Sequence, residues 1–353
     1  MNNPVSIGNV PVGIGAPVAL MAEIGTFFNK DIGQAKDYLR AVAAAGAPLF
    51  KTEILHDADV CLKDTGLNCR FAHAAGVTLE DYRQLIERKL VPLADYAALF
   101  ALCRELGVPF IASVYDFEGI DFFVREGGAA IKIARHNIDH YPLIRHAART
   151  GLPLIIDAGV VYIREIAQAL EVAQAEGATQ VVINHHPGPS PAPAEAHNFR
   201  VLENYRRMFG TPVGLSCHFR GEDMLMVAVG AGVNLIEKGV VDDPDRNEQE
   251  VISATRVSGL PSLVARLRDA SAALGDGLVR VKEPRDLSVR KGLVANAAIR
   301  VGEALTLANT CFAWPPLGVP VAQWSVVESR PAARDLARGE VIHWSDVQFT
   351  PPA

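Results

Sequence analysis

The stretch PFIASVYDFEGIDFFVREGGAAIKIA (109–134) decides the fold of this chain. Its two ends, PFIASVY (109–115) and AIKIA (130–134), are short apolar runs of the length of a buried strand. Between them, apolar residues recur three and four positions apart until a glycine pair, the pattern of an amphipathic helix and its stop. Because parallel strands are joined by helical crossovers, the stretch predicts a strand, a helix and a second, parallel strand.

The same alternation extends along the chain in both directions, and it amounts to eight strand-helix repeats. Eight repeats with buried parallel strands predict an α/β fold, a closed (β/α)8 or TIM barrel. No GxGxxG follows the first run, which speaks against an open dinucleotide-binding sheet. The other apolar runs are VALMAEI (18–24), PLFKTEI (48–54), PLIIDAG (153–159), QVVINHH (180–186), PVGLSCH (212–218) and VNLIEKG (233–239).

The repeats predict a barrel over residues 1–278, with a long excursion at 55–90 between the second strand and its helix. The charged segment 279–290 predicts a linker. The tail, 291–353, predicts a compact, mostly-β module, because short apolar pairs alternate there with tight turns. It contains two similar phrases, AAIRVGEALTLANT (297–310) and RDLARGEVIHWSDV (334–347).

Composition excludes several classes of function. The formal net charge of −6 gives no basic footprint for nucleic acid or a membrane surface. The five cysteines form no CxxC pair, which speaks against a disulfide framework and fits a reducing compartment. The amino-terminal segment has no basic and apolar leader pattern. We therefore expect a cytoplasmic protein that acts on small molecules.

Two lysines lie near the ends of different predicted strands, Lys51 and Lys132. In a barrel the carboxyl ends of the strands meet in one mouth, so these two ammonium groups would repel each other unless an anion lies between them. A small molecule with both a phosphate and a carboxylate would satisfy both lysines. Other polar residues at or near predicted strand ends are Glu23, Ser113, Asp157, His185, Ser216, His218 and Glu237.

Five phrases resemble the strand ends of the sialic acid (N-acetylneuraminate) synthase family, and the tail from about 285 resembles its C-terminal antifreeze-like (SAF) domain. The resemblance implies condensation of phosphoenolpyruvate with an amino sugar to a nine-carbon 2-keto acid. It also implies a divalent metal, Mn or Mg, and a homodimer in which the SAF domain caps the neighbouring barrel. The phrases are AEIG (22–25), FKTE (50–53), IKIA (131–134), GLSCH (214–218) and IEK (236–238).

The resemblance assigns roles residue by residue. Lys51 is expected to bind the carboxylate of phosphoenolpyruvate, and Lys132 its phosphate. Glu23 matches the acidic residue near the sugar and the reacting centre, and with the two lysines it forms the expected catalytic set. The expected substrate-binding residues are Glu53, Ser113, Arg135, Asp157, Ser216 and Trp314.

The sequence departs from the family where a metal is expected. His218 keeps the first metal histidine, but Gly239 stands where the second should follow IEK. A catalytic metal needs about three ligands, so either the metal is lost or another side chain replaces the missing one. The candidate replacements are His185, His186, Cys217, Asp242 and Asp243.

The substrate pockets depart as well. Arg135 and Asp157 each replace a family serine, and adjacent strands would allow them to pair. Trp314 replaces the arginine that reaches the sugar, and the family phrase NHNG has become FFNK (27–30), with phenylalanine in place of its histidine. An aromatic ring favours stacking over binding a polar group, so the acceptor is expected to differ from N-acetylmannosamine.

Two other functions compete with a synthase of altered acceptor. The lost histidine and arginine would suit a non-catalytic or regulatory barrel that binds an anionic metabolite. Alternatively, Lys132 would form a Schiff base in an aldolase or lyase.

Overall fold

The computed structural model describes residues 5–275 and 289–349. It divides into two compact units, one ending at Asp276 and the other beginning at Gly277. The predicted linker, 279–290, lies almost entirely outside the described residues, and the domain boundaries stay predictions.

Strands and helices alternate through the first unit. The strands of the chain are β1 (Val5–Ile7), β2 (Val10–Val12), β3 (Ala19–Glu23), β4 (Leu49–Ile54), β5 (Asn68–His73), β6 (Gly76–Asp81), β7 (Phe110–Val114), β8 (Ala130–Ile133), β9 (Leu154–Gly159), β10 (Val181–His186), β11 (Val213–Cys217), β12 (Leu235–Val241), β13 (Thr255–Arg256), β14 (Gly292–Ala295) and β15 (Thr310–Ala313). The helices are α1 (Ile32–Ala44), α2 (Tyr82–Glu87), α3 (Leu93–Leu106), α4 (Phe117–Arg125), α5 (Tyr141–Arg149), α6 (Ile163–Ala175), α7 (Val201–Phe209), α8 (Asp223–Gly230), α9 (Leu260–Ala273) and α10 (Trp324–Val327).

Eight parallel strands close into a barrel in the order β3-β4-β7-β8-β9-β10-β11-β12. Closure is made by β12, which pairs with β11 on one side and with β3 on the other. The stretch 109–134 forms β7, α4 and β8, and these two strands pair in parallel. The predicted (β/α)8 barrel is confirmed.

Successive residues of each strand face opposite sides of the barrel wall, as the period of two requires. In β12, Ile236 packs with the helices, whereas Leu235 packs in the barrel interior. A hairpin of β1 and β2 joins this interior cluster through Val5, Ile7 and Val12. It fills the amino-terminal end of the barrel with apolar side chains, so the polar positions of the interior are left to the carboxyl ends of the strands.

The excursion at 55–90 is ordered. It contains the antiparallel hairpin of β5 and β6 and the short helix α2. Arg88 ties it to the loop after β12, since its guanidinium binds Glu80 at 2.8 Å and Glu248 at 2.5 Å. This expected excursion therefore forms a wall at the carboxyl end of the barrel.

The second unit is small and has its own core. Strands β14 and β15 form an antiparallel pair, and the remaining contacts are single bridges such as Val294 with Val341. Its apolar core includes Leu293, Leu305 and Ile342. The predicted compact module with short strands is thus present.

Candidate active site

The carboxyl ends of the barrel strands surround a cavity of about 1180 Å³. Polar side chains near the carboxyl ends of neighbouring strands form its floor, and the excursion at 55–90 forms part of its wall. Predicted site residues that line it are Glu23, Glu53, Ser113, Lys132, Arg135, Asp157, His186, Ser216 and His218.

A buried cluster of charges forms the floor. Glu237 lies between the two lysines, 3.2 Å from Lys51 Nζ and 2.7 Å from Lys132 Nζ. Lys51 also pairs with Glu23, and Lys132 pairs with Asp157 at 2.8 Å. The two lysines do lie together, as expected, but the anion between them is a side chain of the protein. Lys51 is fully buried and does not line the cavity.

The charges of this cluster do not balance, because three carboxylates share two ammonium groups. Burial opposes the charge on Glu237, but Lys132 and Lys51 outweigh it, so the pKa of Glu237 is lowered. Burial raises the pKa of Glu23 to about 8, against the attraction of Lys51. Burial likewise raises the pKa of Asp157, against Lys132. Glu237 therefore holds the negative charge, and Glu23 holds a proton near neutral pH.

The lysines are kept charged. Burial works against the ammonium of Lys132, but Asp157 and Glu237 outweigh it and raise its pKa. The same balance, with Glu23 and Glu237 as partners, raises the pKa of Lys51. A lysine that stays protonated is a poor nucleophile, so this cluster does not favour a Schiff base on Lys132.

Arg135 does not pair with Asp157, and this expectation was wrong. Asp157 takes Lys132 as its ion-pair partner at 2.8 Å; the lysine lies on the adjacent strand, where its register partner is Ile155. Among the described residues, no carboxylate lies within 4 Å of a nitrogen of Arg135, although Arg135 lines the cavity. Its guanidinium is therefore available to an anionic ligand.

Two hydroxyls and an amide complete the floor. The Oγ atom of Ser113 is buried and has no hydrogen-bond partner among the described residues, so it is an open position for a ligand. Ser216 lines the cavity beside His218. Asn184 donates hydrogen bonds to Asp157 at 2.9 Å and to Glu237 at 3.0 Å.

Asn184 was missing from the expected site, and Glu237 was expected near a strand end but was given no role. Glu237 lies in the middle of the IEK phrase near the end of its strand, which was the signal available. The signal for Asn184 was weaker: it directly precedes the two histidines, His185 and His186, on the same strand. The packing around Asn184 depends on Gly214, where a Cβ would lie 2.3 Å from Asn184 Oδ1.

Of the two adjacent histidines, only His186 faces the cavity. His185 faces the helices, where its Nε2 donates a hydrogen bond to the carbonyl of His197 at 2.7 Å. The suggestion that His185 could help His218 was therefore wrong, because neighbouring strand residues point to opposite faces. The ring of His186 instead lies 4.4 Å from that of His218, with 30° between the ring planes.

The outer wall of the cavity carries acids and aromatic rings. Tyr82 and Tyr115 line it with Glu53 and Glu250. Glu250 has a left-handed backbone with φ of 68°, which costs a non-glycine residue energy and is common where function fixes a side chain. Of the two glutamates in the loop after β12, Glu250 thus lines the cavity, whereas Glu248 is held by Arg88.

The model of the NeuB family matches residues 38–279, and that of the SAF domain matches residues 290–348. The first match alone covers more than half of the chain. The chain belongs to the NeuB family. The resemblance drawn from the sequence is therefore confirmed.

Curated relatives and a solved structure agree with this family. The chain is 28% identical to the spore coat polysaccharide biosynthesis protein SpsE of Bacillus subtilis, over 97% of this chain and 96% of the relative. It is 24% identical to the N,N'-diacetyllegionaminic acid synthase of Campylobacter jejuni, over 92% and 98%. The N-acetylneuraminic acid synthetase structure from Leptospira borgpetersenii superposes with a TM-score of 0.71 at 20% identity, over 81% and 94%.

Membership of the NeuB family confirms the expected class of enzyme. The chain is a sugar-acid synthase, a transferase that forms a carbon–carbon bond from phosphoenolpyruvate. Among the described residues, no helix is long and apolar enough to cross a membrane.

The residues of this NeuB-family chain do not fit a resident divalent metal. No group of three or more His, Cys, Asp or Glu side chains within 5–275 and 289–349 is placed to hold one. Of the candidate replacements, Cys217 lies on the outer face of the barrel wall, and Asp242 accepts a hydrogen bond from Tyr38 at 2.6 Å, away from the cavity. Asp243 does not line the cavity either.

The place of the missing histidine is filled. A Cβ on Gly239 would lie 3.3 Å from the ring of Phe27 and 3.3 Å from Ala254 Cβ. Phe27 lies in the phrase FFNK, so two departures of this NeuB-family chain, which look unrelated in the sequence, meet in space. Phe28, at the position of the family histidine, is buried in the core around the barrel.

Trp314 lies in the second unit. Its side chain is 66% exposed, and Lys291 Nζ lies 5.2 Å from the ring centroid. An exposed indole of this kind has a free face for stacking. Its expected role toward the acceptor stays a prediction.

Proposed function

We propose that this enzyme condenses phosphoenolpyruvate with an amino sugar or a related aldose other than N-acetylmannosamine, to give a nonulosonic 2-keto acid and phosphate. The observation that carries this proposal is the floor of the cavity. It combines the charged ammonium of Lys132, the guanidinium of Arg135, which has no carboxylate partner among the described residues, and the open hydroxyl of Ser113. Such a set suits a small dianionic or trianionic donor.

The phosphate is proposed to contact Arg135, Lys132 and Ser113. Because Lys132 neutralises Asp157, the carboxylate of Asp157 does not stand alone against the phosphate. Ser216 is proposed to add a hydroxyl hydrogen bond. Lys51 lies beneath Glu23, so it reaches the donor carboxylate only if Glu23 moves aside, and otherwise it acts by holding Glu23 and Glu237.

The reaction forms a bond between C3 of phosphoenolpyruvate and the aldehyde carbon of the acceptor. Water adds to C2 and gives one proton to the new hydroxyl. The C2–O bond to phosphate then breaks as the C2 hydroxyl becomes the ketone, and its proton leaves with the phosphate. Arg135 and Lys132 stabilise the negative charge that moves through the donor. A volume of about 1180 Å³ exceeds that of an ordinary pocket for one drug-sized ligand and leaves room for two substrates.

The acceptor side supports a sugar different from that of the family. Glu53 and Glu250 offer acceptors for hydroxyl or amine hydrogens, and Tyr82 offers a ring face. We propose that Trp314 stacks on a sugar face, as an aromatic residue in the place of the family arginine. We also propose a homodimer and a cytoplasmic location.

The test incubates the purified chain with phosphoenolpyruvate and a panel of N-acylated hexosamines and their parent aldoses, with phosphate release as the readout. Release that depends on one acceptor, and a product of the summed mass less phosphate, supports the proposal. The Arg135→Ser variant is expected to raise the KM for phosphoenolpyruvate by roughly tenfold or more, since a hydrogen bond to a charged group contributes about 1.5–3 kcal/mol. No release with any acceptor contradicts the proposal.

A regulatory barrel would behave differently in the same experiment. Phosphoenolpyruvate would raise the melting temperature of the chain, but no acceptor would cause phosphate release. For Trp314, the Trp314→Ala variant is expected to raise the KM of the acceptor and to leave that of phosphoenolpyruvate unchanged. Equal acceptor KM values in variant and wild type would remove Trp314 from the site.

A further inference from the structure

His186 is buried in the floor of the cavity with a fixed pattern of protons. Its side chain is 94% buried, being 6% exposed, and it lines the cavity. The backbone N–H of Gly188 donates a hydrogen bond to His186 Nδ1 at 3.0 Å. A ring nitrogen that accepts a hydrogen bond carries no proton, so the ring is neutral and its proton lies on Nε2.

The ring is held on two sides. On one side lies Gly159, where a Cβ would come within 2.8 Å of His186 Cβ and 2.9 Å of its Cγ, so only glycine leaves room for this approach. On the other side the ring of His218 stacks at 4.4 Å. The ring orientation is therefore set before any substrate binds.

The proton on Nε2 has no partner within residues 5–275 and 289–349. Among the described residues, no hydrogen bond is made by His186 Nε2, while Nδ1 is satisfied. Nε2 is not sealed inside the protein, and His186 lines the cavity, so this N–H is open to donate to a ligand there. His186 lines the same cavity as Lys132 of the floor and Glu250 of the outer wall.

We propose that His186 is a catalytic residue that donates a hydrogen bond from Nε2 to the aldehyde oxygen of the acceptor. This inference rests on the proposed function and names the group that polarises the acceptor. As C3 of the donor bonds to the aldehyde carbon, the carbonyl electrons move to the oxygen, and the hydrogen bond from the neutral imidazole stabilises the charge. His186 keeps its proton, and the oxygen is protonated by the proton that the attacking water loses.

Because the residues of the floor do not fit a divalent metal, another group has to polarise the aldehyde. Gly239 offers no ligand, and no group of three metal-ligating side chains occurs among the described residues, so polarisation of the aldehyde falls to a side chain. A neutral imidazole donor acts in this way in triosephosphate isomerase, where it polarises a carbonyl. Preorganised donors of this type commonly contribute about 10²–10³-fold to kcat.

The first test measures the tautomer without any turnover. Long-range nitrogen–proton NMR spectra of the full chain, assigned by the loss of signals in His186→Gln, are expected to show a protonated Nε2 and a bare Nδ1. The signals of His185, assigned with His185→Asn, serve as the internal comparison. A proton on Nδ1 of His186, or on both nitrogens, overturns the inference.

The second test is kinetic and uses phosphoenolpyruvate with the acceptor that gives phosphate release. After dialysis against EDTA, the wild type is expected to keep its activity. His186→Ala is expected to lower kcat by about 10²-fold with little change in the KM of phosphoenolpyruvate. His186→Gln, whose amide still donates, is expected to lie between them, and His185→Asn, on the outer face, close to the wild type.

The outcomes separate the two proposals. A wild type that releases phosphate but needs added Mn²⁺ or Mg²⁺, or a His186→Ala variant with wild-type kcat, overturns the role of His186 and leaves the synthase intact. A wild type that releases no phosphate with any acceptor overturns the proposed function and the role of His186 with it. Thermal unfolding of each variant separates lost chemistry from lost folding.

Discussion

The two faces of the barrel wall both bury polar side chains, but those side chains serve different purposes. On β12, Glu237 faces the cavity and Lys238 faces the helices; on β11, Ser216 and Cys217 divide in the same way. The inward residues make a cluster of charges and open hydrogen-bond positions. The outward residues are satisfied by backbone and apolar neighbours, so they maintain the frame that positions the others.

The buried lysines make the contrast plainest. Lys132, on the inner face, is surrounded by two carboxylates that raise its pKa. Lys238, on the outer face, donates to the carbonyls of Phe219 and Gly221 at 2.8 Å each, and burial lowers its pKa. Burial alone therefore does not show whether a lysine takes part in the chemistry. The charges that face the lysine decide whether its pKa is raised or lowered.

The largest expected effect comes from removing Lys132. Lys132→Met should lower kcat/KM by roughly 10³-fold, because it removes charge stabilisation at the donor. It should also destabilise the fold by about 3–5 kcal/mol, since Asp157 and Glu237 lose a buried partner. Phosphate release and urea unfolding measure both effects.

The matched variant Lys238→Met tests the outer face. It should cost about 1–3 kcal/mol of unfolding free energy, because two buried carbonyls lose their donor. Its kcat/KM should fall far less than that of Lys132→Met, because Lys238 does not face the cavity. Any loss of activity would come from a shift of the loop after His218, whose carbonyls Lys238 holds. Equal losses of activity in the two variants would erase the distinction between the faces.

The two glutamates of the floor should differ in how stability depends on pH. The pKa of Glu23 rises from 4.5 to about 8 on folding, so its contribution is present below 4.5 and is lost as the pH rises toward 8. Glu23→Gln removes this loss, so the variant should gain stability relative to the wild type between about pH 5 and pH 8. Urea unfolding at several pH values within this window measures the difference.

Glu237→Gln is the control for that measurement. Folding lowers the pKa of Glu237, so its contribution is present above its unfolded value of 4.5 and is lost only as the pH falls below it. The titration of Glu237 itself therefore adds no pH dependence across the same window. Because Glu237 also raises the pKa of Glu23, Glu237→Gln should lessen the loss of stability with rising pH, without abolishing it as Glu23→Gln does. A Glu23→Gln curve parallel to that of the wild type would show that Glu23 titrates in the ordinary range.

The smallest expected effects come from the adjacent pair on β11. Ser216→Ala should raise the KM of phosphoenolpyruvate by roughly tenfold. This change corresponds to the loss of one hydrogen bond to a charged group. Cys217→Ala should leave that KM unchanged and cost about 1 kcal/mol of stability, because it removes a buried sulfur from the outer core. Steady-state kinetics and thermal unfolding compare the two, and a reversed order of KM effects would contradict the assignment of faces.

Prediction from the sequence succeeded where a pattern repeats. The alternation of apolar runs and helical segments predicted the barrel, and the strand-end motifs predicted the family and most residues of the cavity. The hairpin of β1 and β2 was not predicted, since two three-residue strands leave no periodic signal. Arg135 was paired with the wrong partner because sequence order does not show which of two cations reaches Asp157 first.

The sequence by itself determined the barrel, the family and the meeting of Glu23, Lys51 and Lys132 in one mouth, because strand period and connection geometry leave few other arrangements. Only the tertiary structure decided which member of each adjacent pair faces the cavity, which carboxylate lies between the lysines and what fills the space beside Gly239. Those outcomes depend on the register of neighbouring strands and on distances of a few ångströms between distant segments. Local pattern does not carry that information, and electrostatic effects in a buried cluster depend steeply on it.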